Sequence, residues 1–190
     1  MQELNDTAHK ILDVAESYTQ MHGLNAFSYK DLQREVGIKT SSIHYYFPTK
    51  QDLALAMVER YLDKWRDLLK TIAREQAEGA KRLDNLSKHY VAVVNEGKFC
   101  MCGMFASDML SLPEVINSQV REFFRLLEEW IADAIELGQQ QGSIKDSVNS
   151  KNAASHFLAA LEGGMLIARA RKRPTHLEAI ARESLAQLQQ

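Results

Sequence analysis

The sequence predicts an all-α chain, and three observations carry that prediction. Apolar residues recur at spacings of three and four along most of its length, the period of one helix face. Ala, Leu, Glu, Gln and Lys dominate, and runs of β-branched residues are absent. The 3 prolines, at 48, 113 and 174, each stand where one periodic segment gives way to the next. With 190 residues there is room for one or two domains, and 45% hydrophobic residues supply a sizeable core. The net charge of −2 excludes a surface that is basic throughout. It fits a small basic footprint on an acidic remainder, as it would fit many enzymes.

Residues 6 to 22 read as the opening helix. Ala8, Ile11, Leu12, Ala15 and Tyr18 make its apolar stripe, and Gly23 stops it. Ser28 is a candidate N-cap, with Asp31 at capping-box spacing. Leu32 and Val36 share one face of this second helix. Gly37 suits the left-handed residue that ends a helix, and Ile38 follows as an apolar plug. From Lys39 to Phe47 the faces separate again. Ile43 and Phe47 point one way with Tyr46 beside them, while Thr40, Ser41, His44 and Tyr45 point the other. Pro48 ends that helix. Thr49 can cap the next, with Lys50 in its first turn and Asp52 three residues after the cap.

The long helix expected over 49–76 carries Leu53, Met57, Tyr61, Trp65 and Leu68 on one side. Gly79 marks a break before a helix at 80–95. Segments 101–110 and 114–141 are separated by Leu112-Pro113, and Gly142 ends the second of them. Helices at about 150–171 and 174–189 close the chain.

Two short helices meeting at Val36-Gly37-Ile38 have the layout of a helix-turn-helix, which lays its second helix in the DNA major groove. Hydroxyl and imidazole groups on the outer face of that helix can bond base edges or phosphates. A lysine at a helix N-terminus, here Lys50, suits a phosphate. Residues 28–50 hold four basic and two acidic side chains, a modest net charge of +2. Short helix pairs joined by glycine also occur in proteins that touch no DNA.

The run Gly37-Ile38-Lys39-Thr40-Ser41-Ser42-Ile43-His44-Tyr45-Tyr46-Phe47-Pro48-Thr49-Lys50 resembles the signature of the TetR family of bacterial transcriptional regulators. The likeness extends upstream through Leu32, Phe27 and Gly23 and downstream to Leu53, covering about residues 6–60. It implies an all-α homodimer with an N-terminal three-helix helix-turn-helix domain, 1–48. A C-terminal helical domain, 49–190, would bind an effector and dimerise, with 49–76 as the linking helix. The recognition helix would be Thr40 to Tyr46. Thr40, Ser41, Ser42, His44 and Tyr45 would face the operator, Lys50 would hold a phosphate, and Tyr29 and Lys30 would add contacts. Several positions depart from the family pattern. Lys39 replaces a small cap, which makes Thr40 an alternative cap. Ser41 replaces a common glycine or proline, Gln33 and Glu35 replace common alanines, and His44-Tyr45 reverses a frequent order.

The function so implied is a ligand-responsive repressor that binds a palindromic operator as a homodimer and is released by a small molecule. Its partners would be double-stranded operator DNA, a second copy and an unidentified effector, with no cofactor or metal. No nucleophile elbow, His-Glu-x-x-His, phosphate loop or paired-carboxylate motif points to an enzyme. The N-terminal MQELNDTAHK is too polar for a signal peptide. No apolar run approaches the roughly 20 residues that span a bilayer. A cytoplasmic protein is therefore expected.

Phe157, Ala160, Leu161, Gly164, Met165 and Ala168 repeat at three and four, flanked by His156 and Arg169. The family pairs through its last two long helices, so these are the expected dimer face. On spacing alone an intramolecular core is the commoner outcome. Gly163-Gly164 inside a helix costs about 1 kcal/mol per glycine relative to alanine, which close helix packing would offset. Tyr90, Cys102, Met104, Phe105, Met109, Phe123 and Trp130 are the expected lining of an effector cavity, although such stripes are more often plain core. Cys100-Met101-Cys102 has two readings, reduced buried thiols or a redox and electrophile sensor. The second would need a helix start and Lys98 to depress a thiol pKa. A metal site there would need a distant third ligand such as His89. The basic run Arg169 to Arg173 complements a helix C-terminus.

Overall fold

A computed structural model of the chain describes residues 5–189. Residues 1–4 and 190, which the expected domain limits and the reading of the N-terminal decapeptide include, lie outside that range. The described residues contain nine α-helices and no strand. They are α1 Asp6–His22, α2 Tyr29–Val36, α3 Thr40–Tyr46, α4 Lys50–Glu75, α5 Gly79–Asn95, α6 Met101–Ser107, α7 Glu114–Gln140, α8 Ser150–Ala170 and α9 Thr175–Leu188. Two 3-10 turns, Leu24–Ala26 and Met109–Ser111, were not foreseen. The second replaces the last turn expected of the helix at 101–110. Asn117 Nδ2 donates to the Met109 and Leu112 carbonyls at 2.9 and 3.2 Å, satisfying oxygens that a longer helix would have used.

Helix ends follow local chemistry. Ser28 N–H donates to Asp31 Oδ2 at 2.8 Å. Thr49 and Asp52 exchange both capping-box bonds, Thr49 N–H to Asp52 Oδ2 at 2.9 Å and Asp52 N–H to Thr49 Oγ1 at 3.1 Å. Gly37 has φ 76°, the left-handed conformation, and returns its N–H to the Gln33 carbonyl.

The chain divides into two compact units. The first runs to Asp63 and includes Met101–Arg121. The second comprises Lys64–Cys100 and the chain from Glu122 onward. In the first unit Ile11, Leu12, Leu32, Ile43 and Leu53 have no exposed surface, and Leu24, Phe27 and Phe47 nearly none. α6 lies against α1. Glu16, 6% exposed, accepts from Arg60 Nε at 2.7 Å, so the buried carboxylate of α1 is paired with α4.

In the second unit α8 packs along α9, and α5 lies on both. Gly164 faces α9, where an added Cβ would stand 2.7 Å from Leu177 Cδ1. Gly79 is the first residue of α5 rather than a simple break. A Cβ there would stand 2.2 Å from the Ala134 carbonyl oxygen of α7, so glycine is what permits the crossing. The α4 stripe holds at Leu53, Met57, Tyr61 and Trp65, then passes to Leu69 and Ile72 rather than Leu68, which is half-buried. No helix among the described residues is long and apolar enough to cross a membrane.

Candidate nucleic-acid interface

The outer face of α3 is built on a buried inner one. Ile43 and Phe47 anchor the helix in the first unit, 0% and 3% exposed. At 3.6 residues per turn their neighbours must then face outward. Tyr45 is 79% exposed, and Ser41 and His44 are exposed. Thr40 and Ser42 are half-buried. Tyr46 is half-buried, with its hydroxyl accepting from Asn5 Nδ2 at 2.7 Å.

α2 braces this face. The Tyr29 hydroxyl reaches the Phe47 and Thr49 carbonyls at 2.8 and 2.6 Å, tying the start of α2 to the end of α3. Its ring packs on His44 with centroids 4.7 Å apart. Burial, reinforced by Asp52, pushes the Tyr29 phenol up to about 12. Thr40 Oγ1 donates to Gln33 Oε1, so Gln33, one of the departures from the family pattern, holds α3 against α2. Lys39 occupies the N-cap position without a capping side-chain bond. His44 Nδ1 lies 3.1 Å from the Pro48 carbonyl. A carbonyl only accepts, so the neutral ring carries its proton on Nδ1 and leaves Nε2 as an acceptor.

These side chains can do what base reading requires. Ser41 and Tyr45 offer donor and acceptor hydroxyls, and His44 Nε2 can accept from an exocyclic amine. Lys30 and Lys39 are exposed beside them. Lys50 is placed differently from the expected phosphate clamp. Its ammonium donates to the Phe27 carbonyl and sits 4.5 Å from the centroid of the Phe27 ring. Burial lowers its pKa. The N-terminus of α4 is already met by the Asp52 carboxylate.

Tyr29 supplies a direct check on this bracing. Tyr29→Phe is expected to lower stability by about 1 kcal/mol, the worth of a hydrogen bond. It should also remove an alkaline response. A phenol whose folded pKa of about 12 exceeds its ordinary value of 10.0 stabilises the fold while protonated. That contribution is complete below pH 10 and is lost as pH rises towards 12. Denaturant melts of wild type and variant should therefore converge over that window; a gap constant with pH would count against the assignment.

The expected effector residues divide between the two units. Cys102, Met104, Phe105 and Met109 belong to the first, where Cys102 and Phe105 have no exposure. Met104 Cε comes within 3.4 Å of where a Cβ on Gly23 would stand. Tyr90, Phe123 and Trp130 belong to the second, the first two buried and Trp130 half-buried. Both cysteines are fully buried. The Cys100 thiol donates to the Glu162 carboxyl. An acid beside a thiol disfavours thiolate, and Lys98, the expected activating cation, pairs with Glu96 at 2.8 Å. No cluster of metal-ligating side chains occurs among the described residues.

The expected dimer face needs a correction. Phe157, Leu161, Gly164, Met165 and Ala168 are buried inside the subunit's own core, and Ala160 is half-buried. Their spacing marked the apolar stripe of α8, and α9 is what covers it at Gly164. The outward stripe is instead Ala159, Gly163, Leu166, Ile167 and Ala170. Leu166 and Ile167 are 61% and 41% exposed, and no atom lies within 4 Å of a Cβ built on Gly163.

The family model described as "Bacterial regulatory proteins, tetR family" matches residues 11–57. That described as "Tetracyclin repressor-like, C-terminal domain" matches residues 79–184, more than half of the chain. A TetR-family transcriptional regulator from Agrobacterium tumefaciens is 30% identical with a TM-score of 0.92, over 97% of this chain and 98% of that one. The nucleoid occlusion factor SlmA of Marinobacter nauticus is 24% identical over 133 residues, 70% of this chain and 68% of that protein. The HTH-type transcriptional repressor DhaR of Mycobacterium sp. is 21% identical over 150 residues, 76% of this chain and 73% of that protein.

Proposed function

Because this chain belongs to the tetR family of bacterial regulatory proteins, we propose that it is a repressor that binds a palindromic operator as a homodimer and leaves it when a small molecule binds. Membership makes it a transcriptional regulator with a helix-turn-helix DNA-binding domain. The domains of the proposal are the helix-turn-helix of residues up to 48 and an effector and dimerisation part from 49 onward, linked by α4. The observation that carries the reading is the exposed row Ser41, His44 and Tyr45, standing on the fully buried Ile43 and braced by Tyr29. A rigid polar strip of that kind has little to do within the subunit and much to offer a base-pair edge.

Pairing is required by the same logic. One short helix reads few bases, whereas two helices about 34–36 Å apart read two half-sites one DNA turn apart. The outward stripe of α8, with Leu166 and Ile167 at its centre, is the proposed contact. Release follows from linkage: the effector must bind more tightly to the conformer whose recognition helices are mis-spaced. Lys30 and Lys39 are the proposed phosphate contacts. Lys50 would join them only by leaving the Phe27 carbonyl.

Binding titrations by fluorescence anisotropy test the face directly. Ser41→Ala and Tyr45→Ala are each expected to weaken operator binding by about ten- to a hundredfold, as loss of a base contact does. The circular dichroism melts should not move, because both side chains point outward. Wild-type affinity in both variants would remove this face from the interface.

A further inference from the structure

The interior of the second unit holds a carboxyl group that DNA binding does not use. Glu162 lies in the middle of α8, and its partners there are the Tyr90 hydroxyl, donating to Oε1 at 3.0 Å, and the Cys100 thiol. Both are neutral donors; no lysine, arginine or histidine is among them. Desolvation raises the Glu162 pKa, and the two hydrogen bonds only partly oppose that. An ionised carboxylate without a counter-ion is costly in such a place, while a well-placed cation repays much of that cost.

The surroundings are aromatic. Tyr90 packs on Trp65 with centroids 5.4 Å apart, and Trp65 meets Phe123 edge-on at 5.4 Å. His89 touches Trp65 at 5.0 Å, and burial lowers its pKa towards the neutral ring, so it brings no competing charge. Aromatic faces attract cations, most strongly where water is scarce. Tyr90 and Cys100 are fully buried, whereas Glu162 keeps partial exposure.

We propose that Glu162 anchors a binding site for an organic cation, an amine or quaternary ammonium held between its carboxylate and the rings of Tyr90 and Trp65. This rests on the effector-responsive reading above and names the chemical class that the effector belongs to. A negatively charged ligand would meet like charge at Glu162. A neutral ligand would gain only a hydrogen bond at the carboxyl and no charge pair. The cation alone satisfies both the acid and the ring faces.

Isothermal titration calorimetry on the full-length protein, with probes of one size and three charges, tests the site. Benzylamine and benzyltrimethylammonium are the cations, benzyl alcohol the neutral probe and benzoate the anion. Wild type should bind the cations at least about tenfold more tightly than benzyl alcohol, and benzoate not at all. Glu162→Gln keeps the shape and an acceptor for Tyr90, so it should stay folded and bind DNA as wild type does. It should lose the cation preference. An unchanged preference in Glu162→Gln, equal binding of all three charges, or no cation binding at millimolar concentration overturns the proposal. Operator release by benzyl alcohol or benzoate with no cation effect would keep the effector reading and sink this site. Glu162-dependent cation binding without operator release would do the reverse.

Discussion

Gly79→Ala is expected to lower stability by about 3 kcal/mol, the upper part of the range for an overpacked core. In an ordinary helix the same change would raise it by about 1 kcal/mol, because alanine is the better helix former. Geometry decides the sign. A Cβ at position 79 would stand 2.2 Å from the Ala134 oxygen and 2.3 Å from the Gly138 nitrogen. Both are backbone atoms of α7, so no side-chain rotation relieves the clash. The crossing is also fastened from the other side. Gln141 accepts from Gly79 N–H at 3.0 Å and donates to the Ala77 carbonyl at 2.8 Å. Gly138→Ala makes the useful contrast, since its nearest obstacles are atoms of a single side chain, Ile144, rather than backbone. Urea denaturation should rank the two clearly, with Gly79→Ala much the worse. A Gly79→Ala protein as stable as wild type would mean that α5 and α7 do not cross this closely.

The pair Leu166→Glu and Ile167→Glu, made together, is expected to give a folded monomer whose operator affinity falls by about a hundredfold or more. Both side chains are exposed in the single chain, so folding should not suffer. Two carboxylates on each subunit would face two more across a twofold contact, and burying such charge without partners is prohibitive. What is lost is the second half-site, which turns a weak contact into an avid one, typically worth 10²- to 10⁴-fold. Sedimentation velocity and an operator titration on the same preparation read both effects. A dimer that persists with wild-type affinity would place the contact on another face.

Much of the fold was legible in the sequence because helix ends are short-range chemistry. Ser28 with Asp31, Gly37, Pro48, and Thr49 with Asp52 each act within about four residues. The outer face of α3 was legible for the same reason, since one period of 3.6 separates Ile43 and Phe47 from Ser41, His44 and Tyr45. The α8 stripe exposes the limit of that logic. Periodicity tells which positions are covered, not by what, and at Gly164 the cover proved to be Leu177 and Ile180 of the same chain. Lys50 showed the same limit: its position suggested a phosphate, but the Phe27 carbonyl and ring, 23 residues back, took its ammonium. Gly79 and Glu162 draw their meaning from residues 55 or more positions away, beyond any local pattern. Glu162 did leave a trace, as the one charged residue between His156 and Arg169 in an otherwise small and apolar stretch.

The central claim is that a pair of α3 helices reads DNA through Ser41, His44 and Tyr45. Selection from a random double-stranded library, followed by sequencing of the bound fraction, tests it most directly. Wild type should enrich an inverted repeat whose half-site centres lie about 10 base pairs apart or a multiple of that. Tyr45→Ala and His44→Ala should lose or change the preferred bases within each half-site while still folding and pairing. Enrichment of the same repeat to the same degree by both variants, or no repeat from wild type, would contradict the account.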